Sequence, residues 1–138
     1  MLATTTKYAL RALLYLAGHG QGEFIQIKNL SEQAGVPGPY LAKIIKTLAA
    51  KDLVETKKGY AGGVRLELDP GSITFLDVCR ALDDPIVSEA CLISKSKCRN
   101  IAPCAVHQKW GPLRDRIHSF LLEMKVNTSN TAVMEMLK

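Results

Sequence analysis

No part of this sequence reads as a membrane-spanning helix or a secretory leader. A span needs about 18 or more successive apolar residues, whereas the one apolar run, residues 8–17, is preceded by Lys7 and broken by Arg11. These charges are also untypical of a signal peptide. We therefore expect a cytoplasmic protein without a membrane partner. In that reducing compartment cysteines bind metals or respond to redox state more often than they form disulfides.

The sequence also lacks the patterns of catalysis. It has no grouping of a nucleophile with a base, no glycine loop with phosphate-binding spacing, and no internal repeats or low-complexity segments. We expect neither an enzyme nor a small-molecule substrate. The 138 residues, 47% hydrophobic and 22% charged, predict a single globular domain with an appended helix. The net charge of +5 and a pI near 9.1 favour a polyanionic partner.

Apolar periodicity predicts three helices in the first part of the chain. The first runs over residues 4–17, begins with capping threonines, and has an apolar stripe of Leu10, Leu13, Leu14 and Ala17. The second covers residues 27–34. After a compact turn at residues 35–39, the third reaches about residue 51 and buries Leu41, Ile44, Ile45 and Leu48.

A hairpin and a fourth helix are predicted next. Residues 53–56 and 64–68 have strand character, and a glycine-rich tip lies between them. Residues 73–82 form a helical stripe that contains Cys79, which we interpret as a buried structural thiol. Residues 83–103 are long, polar and without periodicity, and a loop of this length in a compact domain is usually functional or disordered.

The last helical pattern follows a heptad seam. Its apolar residues step by 4, 3, 4, 3 and 4 positions through Val106, Trp110, Leu113, Ile117, Phe120 and Met124. We favour a dimerisation helix over a helix that packs only on its own core. Gly111 and Pro112 predict a bend or a helix start within this segment.

The order of elements is that of a winged helix-turn-helix, a DNA-binding fold. Residues 26–68 carry seven basic and four acidic side chains. Lys43 and Lys46 lie off the apolar stripe of the third helix, on the face that would enter the major groove, and Lys57 and Lys58 lie on the wing, within reach of phosphates. The alternative is a solvated basic face.

The predicted DNA-contacting residues lie on the second helix, the third helix and the wing. They are Lys28, Gly38, Pro39, Tyr40, Ala42, Lys43, Lys46, Lys57, Lys58, Gly59 and Tyr60. Gly38, Pro39 and Ala42 offer few hydrogen-bonding groups for reading bases. Tyr40 either contacts the DNA backbone or packs against the turn.

Three cysteines with metal-ligand chemistry lie close together. Cys91, Cys98 and Cys104 are spaced C-x6-C-x5-C, and His107 follows three residues later. Thiolates and imidazole suit iron–sulfur clusters and zinc, but the closely paired cysteines typical of structural zinc sites are absent. A cluster is favoured, while zinc, thiol redox sensing and coincidence stay open. His107 is either a ligand or a surface residue, and Glu89 or a partner-chain group is the alternative ligand. Nothing in the sequence neighbourhood of His19 and His118 suggests ligands, and both are predicted at the surface.

Several motifs together resemble the Rrf2 family of bacterial winged-helix regulators, with its IscR-like, NsrR-like and RirA-like members. The resemblance runs almost end to end. Its carriers are Lys7-Tyr8-Ala9-Leu10-Arg11, Val36-Pro37, Tyr40-Leu41, Lys43-Ile44, Leu53-Val54, Gly59, Gly62-Gly63, Leu66, Ser72-Ile73-Thr74, Asp77-Val78, Ala81-Leu82 and the three cysteines.

The resemblance implies a homodimer that binds an imperfect DNA palindrome and senses cluster status, nitric oxide, iron or redox state. In the IscR-like branch three cysteines and a histidine hold a [2Fe-2S] cluster, and His107 matches that histidine. NsrR-like members hold a [4Fe-4S] cluster with an acidic ligand from the first helix, where this chain has Lys7-Tyr8. A [2Fe-2S] cluster is therefore favoured. The first cysteine interval has six intervening residues where related sensors usually have five.

The sequence thus predicts a mainly α fold with a small β-wing. Residues 1–82 would form the winged helix-turn-helix domain, residues 83–105 the cluster-binding loop, and residues 106–138 the dimerisation helix and C-terminal segment. The predicted function is transcriptional regulation, with repression favoured, controlled by an iron–sulfur cluster. The alternatives are a thiol- or zinc-dependent regulator on the same fold, and an iron–sulfur electron-transfer or delivery protein.

Overall fold

The computed structural model describes residues 2–19, 22–88, 92–93, 104–128 and 131–137. Its elements in chain order are α1 (Thr4–Gly18), α2 (Ile27–Ala34), α3 (Gly38–Ala50), β1 (Val54–Lys57), β2 (Gly63–Leu66), α4 (Phe75–Ala81), α5 (Ala105–Glu123) and α6 (Thr131–Met136). The predicted class, mainly helical with a small wing, is confirmed. Across these ranges, no helix combines the length and the hydropathy that crossing a membrane requires.

Helix α1 lies at the centre of the main core. Its buried residues are Ala9, Leu10, Ala12, Leu13, Leu16 and Ala17, and it packs against α2, α3 and α4. The predicted stripe of α3 is confirmed, because Leu41, Ile44, Ile45 and Leu48 are each at most 2% exposed. Burial of such a side chain contributes about 1.5–3 kcal/mol, so this stripe fixes the orientation of α3 and leaves its opposite face exposed.

The wing is anchored to the segment before α2. Strands β1 and β2 pair antiparallel, with Val54 opposite Leu66, and Ile25 forms a further antiparallel bridge with Val64. Gly63 has φ +144°, and a side chain there would collide with the Ile25 carbonyl. The glycine therefore allows this close approach of two backbones. Strand β2 ends at Leu66 rather than at residue 68, and Leu68 is 45% exposed.

Helix α4 begins at Phe75 instead of residue 73, because Thr74 and Asp77 form a capping box there. The Phe75 N–H also donates to the Met124 carbonyl at 2.8 Å, and the Val126 N–H donates to the Ile73 carbonyl at 3.0 Å. These two bonds tie the end of α5 to the start of α4.

Two further details differ from the predictions. Helix α1 begins at Thr4, as predicted, but its N-cap is Ala3 and no side chain caps it, so the predicted capping role of the threonines is wrong. Helix α5 runs without interruption from Ala105 to Glu123, with Pro112 inside it. Of the predicted alternatives, a bend or a helix start at Gly111-Pro112, the helix start is therefore not observed. Proline removes one backbone hydrogen bond, yet α5 continues through Pro112 and packs on α4.

Candidate DNA-binding face and sensor site

The exposed face of α3 carries the predicted recognition residues. Pro39, Tyr40, Ala42, Lys43 and Lys46 are exposed, and Gly38 is half-buried. The turn before them is fixed by Gly35, which ends α2 in a left-handed conformation at φ +65°. Both α3 lysines are therefore solvent-facing, on the side opposite the buried stripe.

Tyr40 combines features of both predicted alternatives. Its side chain is 60% exposed, and its ring centroid lies 6.2 Å from that of Tyr8 on α1. The ring is therefore positioned by α1 rather than by the turn, and much of its surface remains open to a ligand.

The wing presents exposed lysines near its tip, of which Lys57 has its Nζ 5.8 Å from the centroid of the Phe24 ring. Lys57, Lys58, Gly59 and Tyr60 are exposed, as is Lys28 in the first turn of α2. The Gln26 side chain donates to the Tyr60 carbonyl at 3.3 Å, which links the wing tip to the start of α2. Wing and helix-turn-helix are thus held together as one surface.

Arg65 is not one of the free charges of this surface. Its guanidinium forms two contacts with Glu55 Oε2, from Nε at 3.0 Å and from Nη2 at 2.9 Å. It also donates to the Gly22 carbonyl at 2.9 Å and lies 4.4 Å from the centroid of the Phe24 ring. Arg65 therefore stabilises the base of the wing. Counting it as one of seven basic residues did not indicate this role.

The start of the cysteine-containing segment is fixed by a buried aspartate. Asp84 is 2% exposed, and Oδ2 accepts from Thr6 Oγ1 at 2.6 Å and from the Ala3 N–H at 2.9 Å. Oδ1 accepts from the Ile86 N–H at 2.9 Å. Burial alone would raise the pKa of Asp84, but the bonds from Thr6, Ile86 and Ala3 hold that pKa below its ordinary value. The carboxylate thus joins the N-terminus of α1 to the segment that follows α4.

Asp84→Ala should lower the free energy of unfolding at pH 7 by about 3 kcal/mol, because the buried Thr6 hydroxyl and the partly buried N–H groups of Ala3 and Ile86 lose their acceptor. The folded-state pKa is lowered, so the charge contributes stability above the unfolded pKa of about 3.9, and this contribution is lost as the pH falls through the folded value. Asp84→Asn should lose less stability and lack this part of the acid dependence. Urea unfolding at neutral and acid pH measures both, and an Asp84→Ala loss under about 0.5 kcal/mol would contradict the assignment.

Only part of the predicted metal site lies within the described residues. Cys91 and Cys98 fall outside them. Cys104 is exposed and is the N-cap of α5, and His107 is half-buried in the first turn. Within the ranges that the structure covers, no three metal-binding side chains meet, because two of the four predicted ligands are not among them.

Cys79 is separate from this site, as predicted. It is fully buried in a second cluster with Leu76 and Leu121. Burial and the nearby Asp84 charge raise the pKa of its thiol to about 11, so it is protonated at neutral pH. It is therefore a packing residue and not a ligand.

One face of α5 turns towards the protomer's own body, and its first half is polar. The less exposed residues there are His107, Trp110, Gly111, Arg114, Ile117, His118 and Leu121. His118 Nε2 lies 2.9 Å from the Ile86 carbonyl, so the prediction of His118 as a surface residue is wrong, whereas His19 is exposed. His107 Nδ1, Trp110 Nε1 and Arg114 Nη1 are buried atoms without a hydrogen-bond partner in the described structure.

The His107 ring lies directly over Gly111. A Cβ atom at Gly111 would be 3.3 Å from both Cε1 and Nε2 of the imidazole. Because this is tighter than ordinary contact, glycine at this position makes room for the ring. The sequence pattern drew attention to Gly111 only as a helix breaker.

The predicted seam is divided between two environments. Leu113 and Phe120 are 50% and 56% exposed, while Ile117 packs against the cluster of Leu76, Cys79 and Leu121. Val106, Trp110 and Met124 are half-buried. A groove beside the exposed pair is lined by Leu2, Lys7, Ile86, Leu113, Arg116, Ile117, Phe120 and Leu121. The exposed apolar stripe of this protomer is thus narrower than the sequence pattern.

The structural surroundings of three residues of this region were not predicted from the sequence: Asp84, Gly111 and Arg114. Asp84 and Thr6 are 78 positions apart, and no local spacing indicates such a pair. The i, i+3, i+7 spacing of His107, Trp110 and Arg114 could have indicated a shared helix face, but the apolar heptad through Trp110 obscured it.

Comparison with known proteins identifies relatives over nearly the whole chain. A family model described as Rrf2, iron-dependent transcriptional regulator, matches residues 2–128. An HTH-type transcriptional regulator of Aquifex aeolicus is 34% identical over 122 residues, which cover 87% of this chain and 84% of that protein. The HTH-type transcriptional regulator IscR of Xenorhabdus nematophila is 32% identical over 120 residues, covering 87% and 73%.

A solved structure shares the fold. The global cysteine regulator CymR of B. subtilis superposes with a TM-score of 0.74 at 24% sequence identity, covering 91% of this chain and 92% of that one. At this identity the likeness concerns the arrangement of helices and wing.

Proposed function

Because the chain belongs to the Rrf2 family of transcriptional regulators, we propose that it is a homodimeric DNA-binding repressor whose DNA affinity is controlled by an iron–sulfur cluster. Relatives in this family are regulators and not enzymes. We expect it to act in the cytoplasm, on an imperfect palindrome that matches the two-fold symmetry of a dimer.

The exposed basic surface of α3 and the wing is the observation that carries the DNA-binding proposal. Lys43 and Lys46 project from the side of α3 opposite its buried stripe, which is the side a recognition helix turns to the major groove. Lys57 and Lys58 lie at the exposed wing tip. The remaining proposed contacts are Lys28, Gly38, Pro39, Tyr40, Ala42, Gly59 and Tyr60.

The lysines contribute mainly to the affinity for DNA, whereas the geometry of α3 sets the position of the protein along the duplex. Ammonium groups neutralise phosphates and release counterions, an effect that does not depend on base sequence. Base reading at the start of α3 falls chiefly to Tyr40, because Gly38, Pro39 and Ala42 have no hydrogen-bonding side-chain group. Sequence-dependent DNA shape is then the expected source of much of the specificity.

A cluster held by Cys91, Cys98, Cys104 and His107 is supported by the described half of this ligand set. His107 Nδ1 is buried and has no partner among the described residues, and Cys104 is exposed three positions earlier. A shielded imidazole nitrogen and a thiolate are suitable ligands for iron. When bound, the group would supply one-electron redox chemistry and sensitivity to oxidants, and [2Fe-2S] is favoured over [4Fe-4S]. Asp84 would fix the start of the ligand-bearing segment against α1.

A dimer through α5 is supported by the apolar residues that this helix leaves open. Leu113 and Phe120 are both at least half exposed, which is costly for large apolar side chains on a lone protomer and favours an interface. We propose that the interface includes these two residues together with Val106, Trp110, Ile117 and Met124. Functionally, residues 1–82 would bind DNA, residues 83–105 would hold the cluster, and residues 106–138 would mediate dimerisation.

The DNA surface is tested by the salt dependence of binding. Affinity for a short random-sequence duplex should fall with a slope of about −0.9 per neutralised phosphate in a plot of log K against log salt. Lys43→Ala and Lys58→Ala should each reduce the slope by about one unit. Lys125→Ala is the matched control, since Lys125 is exposed but lies outside α3 and the wing. Unchanged slopes for both variants would exclude α3 and the wing from the interface.

A further inference from the structure

A single arginine of α1 connects the turn of the helix-turn-helix to the last helix of the chain. Arg11 Nε donates to the Ala34 carbonyl at 2.7 Å, and Arg11 Nη2 donates to the Leu137 carbonyl at 3.0 Å. Ala34 is the last residue of α2, and Leu137 directly follows α6. The guanidinium therefore lies between the C-terminal ends of two helices that are far apart in the chain.

The C-terminal ends of helices are favourable surroundings for this guanidinium. The last carbonyls of a helix have no partner within it, and the helix dipole places partial negative charge there. A guanidinium presents several N–H groups in one plane, so one side chain satisfies carbonyls of two different helices. Hydrogen bonds from a charged donor are stronger than those between neutral groups. Arg11 thus joins α2 to α6 and is not a solvated cation of α1.

Close packing surrounds this contact. Gly35 ends α2 at φ +65°, and a Cβ atom there would lie 2.7 Å from Arg11 Nη2 and 3.2 Å from the Leu137 carbonyl oxygen. The Leu137 residue is 4% exposed, whereas the preceding Met136 is 77% exposed. The end of α6 is therefore docked at the turn by a buried apolar side chain and by the hydrogen bond from Arg11.

The same turn determines where α3 begins. Ser31 Oγ donates to the Val36 carbonyl at 2.5 Å, and the Val36 N–H donates to the Ser31 carbonyl at 3.0 Å. Val36 is buried, and α3 starts two residues later at Gly38. A shift of residues 34–36 would therefore move the start of α3 relative to α1.

We infer that Arg11 and Leu137 are positioning residues for DNA binding, because they dock the end of α6 at this turn and thereby hold α3 in the orientation that the major groove requires. The inference rests on the proposed DNA binding. Because α6 follows α5 in the chain, the contact also connects the C-terminal segment to the recognition helix.

The first test is amide hydrogen exchange in the free protein, which needs no DNA. Arg11→Met removes both hydrogen bonds, and Leu137→Ala removes most of the buried side chain. Each should make the Val36 amide exchange about tenfold faster, because the turn opens more often once α6 is undocked. Arg11→Lys should restore part of the protection, since it keeps the charge. Met136→Ala is the matched control, because it truncates an exposed neighbouring side chain.

The second test asks whether the α3 lysine loses its phosphate while the wing lysine keeps its own. In the wild type, Lys43→Ala and Lys58→Ala should each reduce the salt slope by about one unit. In the Leu137→Ala background, Lys43→Ala should reduce it by less than about half a unit and Lys58→Ala still by about one, because only α3 has moved. A residue that merely supports the fold would lower the Tm and leave both reductions unchanged.

The outcomes separate this inference from the proposed function. A wild-type protein without affinity for duplex DNA would overturn the proposed function, and the exchange rates would still decide whether Arg11 and Leu137 fix the turn. Unchanged Val36 exchange in the Leu137→Ala protein would overturn the docking, also where Arg11→Met does not fold. Faster exchange together with an undiminished effect of Lys43→Ala in the Leu137→Ala background would overturn the positioning role.

Discussion

Replacing Phe120 by aspartate is expected to weaken self-association at least a hundredfold and to leave the protomer folded. Phe120 is 56% exposed, so the charge meets water in the monomer and an apolar surface in the dimer. Loss of an interface anchor costs about 2–4 kcal/mol, and each tenfold change in the dissociation constant corresponds to about 1.4 kcal/mol. The substitution occurs twice in a two-fold interface. Sedimentation or light scattering measures the state, and circular dichroism checks the fold.

Two further variants define this experiment. Ser119→Asp adds the same charge at a neighbouring exposed position and should leave the dimer intact. Ile117→Asp should instead destabilise the protomer, because Ile117 packs against Leu76, Cys79 and Leu121. A Phe120→Asp protein that stays dimeric would exclude this stripe of α5 from the interface.

Replacing His107 by alanine is expected to make the cluster at least tenfold shorter-lived under air. The substitution removes one of four proposed ligands and opens a coordination position at iron, and loss even of groups that only support ligands costs about 10–100-fold in metal affinity. His107→Cys should retain the cluster at a lower reduction potential, since histidine in place of cysteine raises it. The decay of visible absorption, with iron and sulfide content, gives the rates.

Nitrogen hyperfine coupling in the reduced protein reports the ligand directly. The wild type should show a coordinated nitrogen that His107→Ala lacks, and a wild-type spectrum without one would end this assignment in favour of Glu89 or a partner-chain group.

Gly111→Ala is a companion variant that tests the contact of the His107 ring with α5. It should stabilise α5, because alanine favours helix by about 1 kcal/mol over glycine, yet shorten cluster lifetime, because a Cβ 3.3 Å from the imidazole forces the ring to shift. Bound zinc in place of iron and sulfide would favour the zinc-dependent regulator.

Local patterns in the sequence predicted helices α2 and α3 accurately. The range of α2 was predicted to the residue, and the four apolar positions of α3 are all buried. Both features depend on contacts within one helix or across one turn. The i, i+3, i+4 spacing of apolar residues reflects such contacts directly. The exposure of Lys43 and Lys46 follows from the same spacing, because a buried stripe leaves the opposite face to solvent.

The local rules were less accurate where two elements meet. Arg65 was one of the seven basic residues counted over residues 26–68, and the register of β1 against β2 sets it opposite Glu55, where the two charges pair. Pro112 predicted a bend or a helix start, whereas α5 continues through it and packs on α4. In both cases the local pattern contained no information about the neighbouring element.

The sequence by itself determined the class of fold, the buried stripe of α3 and the hairpin of the wing, because these are properties of residue type and short-range periodicity. Only the tertiary structure decided which side of α5 faces the protomer. That choice leaves Phe120 exposed, packs the half-buried Ile117 against Leu76, Cys79 and Leu121, and sets Trp110 and Arg114 on the same side as His107. It likewise brought Asp84 to Thr6 across 78 positions. Such contacts depend on how distant segments pack together, and the spacing of residues along one helix carries no record of that packing.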